Sequence, residues 1–340
     1  MNAPVVSVLL PAHNAATTLP ETLASLRAQS LSDSEVVAVN DGSSDESGTI
    51  LQACAADDPR VRPIQLPRVG LIEALNRGLS ACRGEFVARM DADDLAHPLR
   101  FELQAERLRA QPGLSVVSCL VEPFPSETVT EGFRRYVEWL NGLTTPTEIA
   151  RDMFIESPLP HPSVMLRRTE LLALGGYHER GWAEDYDLWL RYHLAGKRME
   201  KITQTLLRWR DHPERATRTD ARYSVENFLR AKAHYLLRGP LRGRDAVIIW
   251  GAGQMGRRLS KHLVRGGAPL FAFVDIDAGK IGRTLRGRPI HHADELPDIW
   301  RQHTHAALLA AVGSRGARAL IRARLQDWGF VETEDFWCVA

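Results

Sequence analysis

The chain has 340 residues, 44% of them hydrophobic, and its 43 Lys and Arg against 42 Asp and Glu leave a formal net charge of +1. That length can bury two domain cores, while so even a balance gives no global field to draw nucleic acid or an anionic membrane as an obligate partner. Four scattered cysteines (Cys54, Cys82, Cys119, Cys338) form no metal spacing or disulfide framework, no apolar run reaches membrane-spanning length, and no basic leader precedes the first strand, so a cytoplasmic enzyme with reduced thiols is expected.

The run Val5-Val6-Ser7-Val8-Leu9-Leu10, ended by Pro11-Ala12-His13-Asn14, reads as a buried strand entering a loop. A helix should follow, with Thr18 as N-cap, Glu21 as its capping-box partner, and Leu19, Leu23 and Leu26 at helical spacing. Glu35 to Val39 is a second strand, running into Asn40-Asp41-Gly42-Ser43-Ser44-Asp45. A βαβ opening implies a parallel sheet, and ligands of such sheets sit outside the carboxyl ends of the strands. Residues 11–14, Asp41 and the next strand end should therefore share one rim.

That next strand end carries Glu85-Phe86-Val87-Ala88-Arg89-Met90-Asp91-Ala92-Asp93-Asp94. Carboxylates this close repel unless something positive sits among them. Asp91 and Asp93, two apart, can point at one hard cation, Mg²⁺ or Mn²⁺, whose remaining positions are commonly filled by substrate phosphates. Further on, Glu184-Asp185 precede Tyr186, Leu188, Trp189 and Leu190 at helical spacing, which puts the pair at a helix start. The helix dipole favours charged carboxylates there, whether they are ordinary acids of a first helical turn or groups with a chemical task.

After the Gly/Pro/Arg-rich stretch 238–244 the chain begins again. Asp245 to Trp250 is a strand that enters Gly251-Ala252-Gly253-Gln254-Met255-Gly256, followed by an amphipathic stretch from Arg257 to Val264 and a strand from Leu270 to Val274 ending in Asp275. This is the dinucleotide-binding fingerprint: Gly251 for the tight turn, Gly253 for close approach of a pyrophosphate, and Gly256 for helix–strand packing. A further strand at 306–312 and helix at 316–328 complete about half a Rossmann unit. Domains are expected at 1–238 and 245–340. The second resembles small Rossmann-like modules attached to sugar-modifying enzymes, and nucleotide binding, hydride chemistry and a structural or partner-docking role are all open to it.

The first 235 residues resemble family 2 glycosyltransferases, inverting enzymes of GT-A fold that use nucleotide-diphosphate sugars. The resemblance is carried, in order, by Val6 to Asn14, Asn40 to Asp45, Ala74 to Leu79, Gly84 to Asp94, His161 to Arg167, Gly175 to Tyr177 and Ala183 to Arg191. It implies an α/β fold with a GT-A nucleotide-sugar-binding domain followed by a smaller Rossmann-like α/β domain. It also implies that Asp41 accepts from the nucleotide base, that Pro11, Ala12 and Asn14 pack around base and ribose, that Asp91 faces ribose and metal, that Asp93 binds the metal, and that Asp185 is the catalytic base. His212, in Arg208-Trp209-Arg210-Asp211-His212, would complete the metal shell. Many relatives have an Arg where Leu75 stands, and Arg89 or Arg77 could supply that charge. Trp182, beside the base, is a candidate to stack on an acceptor sugar, whereas Trp189 is expected in the core. A nucleotide-sugar donor and a glycan or lipid-linked acceptor are implied, and Arg and Lys of 228–244 could either touch lipid phosphates or form a solvated charged linker. The rival readings are a nicotinamide-dependent sugar oxidoreductase or epimerase using the C-terminal unit, and a non-catalytic nucleotide-sugar-binding protein.

Overall fold

The computed structural model describes residues 3–340, which divide into two compact units. The first runs through Ile149 and takes in Pro158–Arg180 and Asp187–Thr219; the second consists of Ala150–Ser157, Gly181–Tyr186 and Asp220–Ala340. Among the described residues no helix is long and apolar enough to cross a membrane.

The chain opens with β1 (Val6–Ala12), α1 (Leu19–Arg27), β2 (Ser34–Asp41), α2 (Ser47–Asp57), β3 (Val61–Leu66), α3 (Leu71–Ala81) and β4 (Phe86–Arg89). Every residue of β1, β2 and β4 is buried, as expected of parallel strands covered on both faces. Then come β5 (Leu95–Ala96), α4 (Arg100–Ala110), β6 (Leu114–Phe124), α5 (Glu131–Asn141), α6 (Pro146–Asp152), β7 (Met165–Arg167), α7 (Arg168–Ala173), α8 (Glu184–Leu194), β8 (Arg198–Arg210) and α9 (Ala216–Thr219). The sheet order is β3-β2-β1-β4-β7-β6-β8-β5. Strands β1 to β4 are mutually parallel, β7 runs antiparallel between β4 and β6, and β8 is parallel to β6. Two reversals restore the direction, so the end of β8 opens on the same rim as the ends of β1, β2 and β4. Pairing of Leu95 with Arg208 then sets the acidic loop 91–94 beside Arg210.

The second unit contains α10 (Val225–Arg238), β9 (Ala246–Trp250), α11 (Gln254–Arg265), β10 (Leu270–Asp275), β11 (Thr284–Leu285), β12 (Arg288–His292), α12 (Leu296–Trp300), β13 (Ala306–Ala310), α13 (Ala317–Asp327) and β14 (Phe336–Cys338). Its sheet order is β11-β12-β10-β9-β13-β14, parallel throughout except for edge strand β11. From β12 to β14 the order is that of a doubly wound sheet, with the switch point beside β9. The glycine fingerprint is sterically required at two of its three positions. Gly251 has φ +112°, and a Cβ on Gly256 would sit 1.8 Å from the Gly251 carbonyl oxygen; a Cβ on Gly253 would meet nothing within 4 Å.

The units do not divide at the linker read from the sequence. Residues Asp220 to Arg238 group with the second unit, because α10 lies on α11: Glu226 pairs with Arg258 (3.4 Å), Lys261 (3.1 Å) and His262 (2.9 Å). The Gly/Pro/Arg-rich stretch is thus a turn between elements of one unit. Two cations of 228–244 are engaged within the unit: Lys232 of α10 is buried, and Arg244 donates to the carbonyls of Pro240, Ala306 and Glu334. These two are not placed to meet lipid headgroups.

Candidate active site

The acidic loop is held by its backbone. Thr18 Oγ1 donates to the Ala92 carbonyl (3.0 Å) and Thr22 Oγ1 to that of Asp94 (2.9 Å), while Arg210 Nε donates to the Asp93 carbonyl (2.7 Å) and the Arg210 amide to Asp94 Oδ1 (2.8 Å). The capping box expected at Thr18 and Glu21 does not form. Thr18 caps no amide with its side chain, and Glu21 pairs with Arg210 Nη2 at 2.6 Å. Both residues hold the acidic loop, a use with the same local pattern as a cap.

Three carboxylates, Asp91, Asp93 and Asp94, offer oxygens that all lie within 4.8 Å of one another. Asp91 is ion-paired with the buried Arg89, so that arginine balances the cluster. His212 Nε2 lies 2.9 Å from Asp93 Oδ2, and that hydrogen bond raises the His212 pKa. Asp94, in sequence just one more acid of the run, is the most telling of the three. It is buried, its Oδ2 has no hydrogen-bond partner among the described residues, and burial followed by the charges of Asp93 and Asp91 pushes its carboxyl well above the usual range. A buried oxygen without a donor, facing two further carboxylates, fits a hard divalent cation. Arg77 is paired with Glu73 along α3, and Leu75 is wholly buried.

The loops after β1 and β2 are laced together. Asn14 takes φ 50°, a conformation Asn tolerates, and its Oδ1 accepts from the Ser44 amide (2.9 Å), while its own amide donates to Ser43 Oγ (3.0 Å). The Ala15 amide donates to Ser47 Oγ (2.8 Å) and that of Ala16 to Asp45 Oδ2 (2.9 Å). Asp41 is buried and accepts from the Val69 amide (2.7 Å), the Gly70 amide and Arg68. Its carboxylate thus anchors the loop before α3, and a base would have to share it with those donors. Pro11 and Ala12 are buried in the strand end beneath.

Asp185 belongs to the second unit, in the first turn of α8. The two acids of that turn differ: Glu184 is buried with Oε2 accepting from Tyr223 Oη (2.8 Å), whereas Asp185 is half-buried and its Oδ1 accepts from the Tyr186 amide (2.7 Å). Trp182, expected to stack on a sugar, is instead buried against His234 (5.3 Å between ring centroids) and Arg230, where its apolar ring packs. Trp189 is in the core, as its helical spacing predicts. In the glycine loop, the Ala252 amide donates to Asp275 Oδ2 (2.8 Å), and Lys280 reaches the same oxygen (3.2 Å). Asp275 thus braces the loop that its position in the fingerprint would have it serve.

The first unit is thus a mostly parallel sheet whose carboxyl rim gathers three carboxylates and two braced loops. The sequence profile of glycosyl transferase family 2 matches residues 7–173. The amylovoran biosynthesis glycosyltransferase AmsE of Erwinia amylovora is 32% identical over 196 residues, 56% of this chain and 70% of the relative. The UDP-Gal:alpha-D-GlcNAc-diphosphoundecaprenol beta-1,3-galactosyltransferase of Escherichia coli is 26% identical over 233 residues, 68% of this chain and 82% of that one. The crystal structure of S. aureus TarS 1-349 superposes with a TM-score of 0.55 at 19% identity, covering 76% of this chain and 71% of that one, a likeness of fold. The chain belongs to glycosyl transferase family 2.

Proposed function

We propose that the chain transfers a sugar from a nucleoside-diphosphate sugar to a hydroxyl of a glycan or lipid-linked saccharide, in one displacement that inverts the anomeric centre. The observation that carries the reading is the group of three carboxylates within 4.8 Å, one with a buried oxygen that no donor among the described residues reaches. Asp93, Asp91 and Asp94 would hold a Mg²⁺ or Mn²⁺ ion, with His212 beside Asp93. When bound, such a cation offsets the charge that grows on the departing diphosphate. Arg210, Thr18 and Thr22 keep the loop in place by its carbonyls and need no contact with substrate. The laced loops at 14–16 and 43–47, with Asp41 bracing 68–70, receive base and ribose on a surface already ordered.

Asp185 takes the proton from the acceptor hydroxyl, which attacks the anomeric carbon opposite the leaving diphosphate. Its place in the first helical turn and its exposure, against the burial of Glu184, favour it over its neighbour. A lipid-linked acceptor is suggested by the name of the E. coli relative, and a polysaccharide by that of the Erwinia one. A Cβ on Gly253 would meet nothing within 4 Å, and a nucleotide pyrophosphate would approach the glycine loop there. The test is a panel of nucleotide sugars with Mn²⁺ and saccharide acceptors, read as nucleoside-diphosphate release and product anomer by NMR. Turnover confined to one donor with inversion is expected; a product of retained configuration would contradict the single displacement.

A further inference from the structure

The turn that carries Asp185 is built into the second unit from three sides. Tyr223 Oη donates to buried Glu184, the residue before it (2.8 Å). The ring of Tyr186, the residue after it, stacks on Phe228 at 5.2 Å and 22°, and its hydroxyl donates to the Met153 carbonyl (2.9 Å). Trp182 packs on His234 and under Arg230. Phe228, Arg230 and His234 lie on α10, and Tyr223 ends the short turn before it, which is itself pinned by Asp220 accepting from the Arg222 amide (2.9 Å) and guanidinium.

Helix α10 in turn has its place fixed by the parallel-sheet part of the unit. Glu226 gathers Arg258, Lys261 and His262 of α11. The buried Lys232 ammonium donates to the carbonyls of Ile155 (2.6 Å) and Val339 (3.1 Å), and Arg322 of α13 bridges Asp152 and Glu332. A carboxylate in a half-exposed turn is aimed only as well as its neighbours are held, and a misplacement of about 1 Å in a reacting group costs on the order of 100-fold in rate.

We propose that the C-terminal unit is the carrier of the catalytic base, with Tyr223 the residue that positions it through Glu184. The inference rests on reading Asp185 as the base. It assigns the unit a part in catalysis whether or not its glycine loop takes a ligand.

The full-length Tyr223→Phe variant tests it, since the change removes one hydroxyl and keeps the ring. Expected is a fall in transfer kcat of about tenfold or more, with donor KM and the melting temperature near those of the parent. Phe228→Leu, which weakens the stack on Tyr186 from a different residue, should give the same split between kcat and KM, and serves if Tyr223→Phe folds poorly. Asp185→Asn is measured alongside. If it loses turnover while both positioning variants keep parental kcat, the inference is overturned and the base reading stands. If Asp185→Asn turns over at the parental rate, the base reading itself fails and takes the inference with it.

Discussion

Replacing Asp94 by Asn should stabilise the cation-free protein and blunt its response to Mn²⁺. The side chain is buried within 4.8 Å of two further carboxylates, with one oxygen on the Arg210 amide and the other on nothing. Two unit charges at that separation repel by about 3 kcal/mol at an effective dielectric of 20. Arg89 beside Asp91 and His212 beside Asp93 offset part of this. A ceiling exists as well: protonating a carboxyl of ordinary pKa 3.8 at pH 7 costs about 4 kcal/mol, and Asp94 would protonate before the repulsion exceeded that. The amide carbonyl of Asn still accepts from Arg210, so the gain without cation should be about 1–3 kcal/mol, a rise in Tm of roughly 2–4 °C for each kcal/mol. Scanning calorimetry of parent and variant, with chelator and then with Mn²⁺, measures both effects. A variant less stable than the parent in chelator, with an undiminished Mn²⁺ shift, would mean that Asp94 is structural and that the cation, if any, sits elsewhere.

Gly256→Ala should cost more than about 2 kcal/mol, because its Cβ would stand 1.8 Å from a backbone oxygen, whereas Gly253→Ser, with nothing within 4 Å, should stay within about 0.5 kcal/mol; urea unfolding monitored through the second unit's tryptophans separates them. Glu35 is held at about 2 because hydrogen bonds from Ser7, Arg83 and Arg62 outweigh the burial that would raise it. With a folded pKa below the ordinary 4.5, its contribution of about 3 kcal/mol is present in full above pH 4.5 and lost as pH falls from there through 2, and Glu35→Gln should flatten urea midpoints over that window. Fragments 1–238 and 241–340 made separately should fail to unfold cooperatively, since 150–157, 181–186 and α10 belong to the second unit; two sharp melts would refute that grouping.

Much of the first unit is legible in the sequence because β1, β2 and β4 are buried runs ended by loop residues, and their parallel pairing sends those ends to one rim. The acidic loop is legible for the same reason. What pattern could not give is the tertiary use of each side chain. Thr18 and Glu21 spell a capping box, but Ala92 and Arg210 offered stronger partners. Asn14 and Asp41 sit at the expected rim, yet their side chains brace Ser44 and the amides of residues 69 and 70. Asp94 reads as one more acid in a turn until its burial is known, and Arg210 comes to the loop from 116 residues away. Trp182 stands next to the base in sequence, which says nothing of His234 and Arg230 covering it. The linker at 238–244 marks a turn by composition, and composition does not record which neighbour a helix packs against.

Whether the acidic loop holds a divalent cation for a nucleoside diphosphate is tested most directly at Asp93. Calorimetric titration of UDP and of GDP into the full chain, with Mn²⁺ and with chelator, should give saturable binding of one nucleotide only when the ion is present. The Asp93→Ala variant should lose that binding while its far-ultraviolet spectrum is unchanged, because the residue is a half-buried rim side chain outside the core. Binding of the diphosphate by the variant as tightly as by the parent, or equally with and without Mn²⁺, would contradict the account.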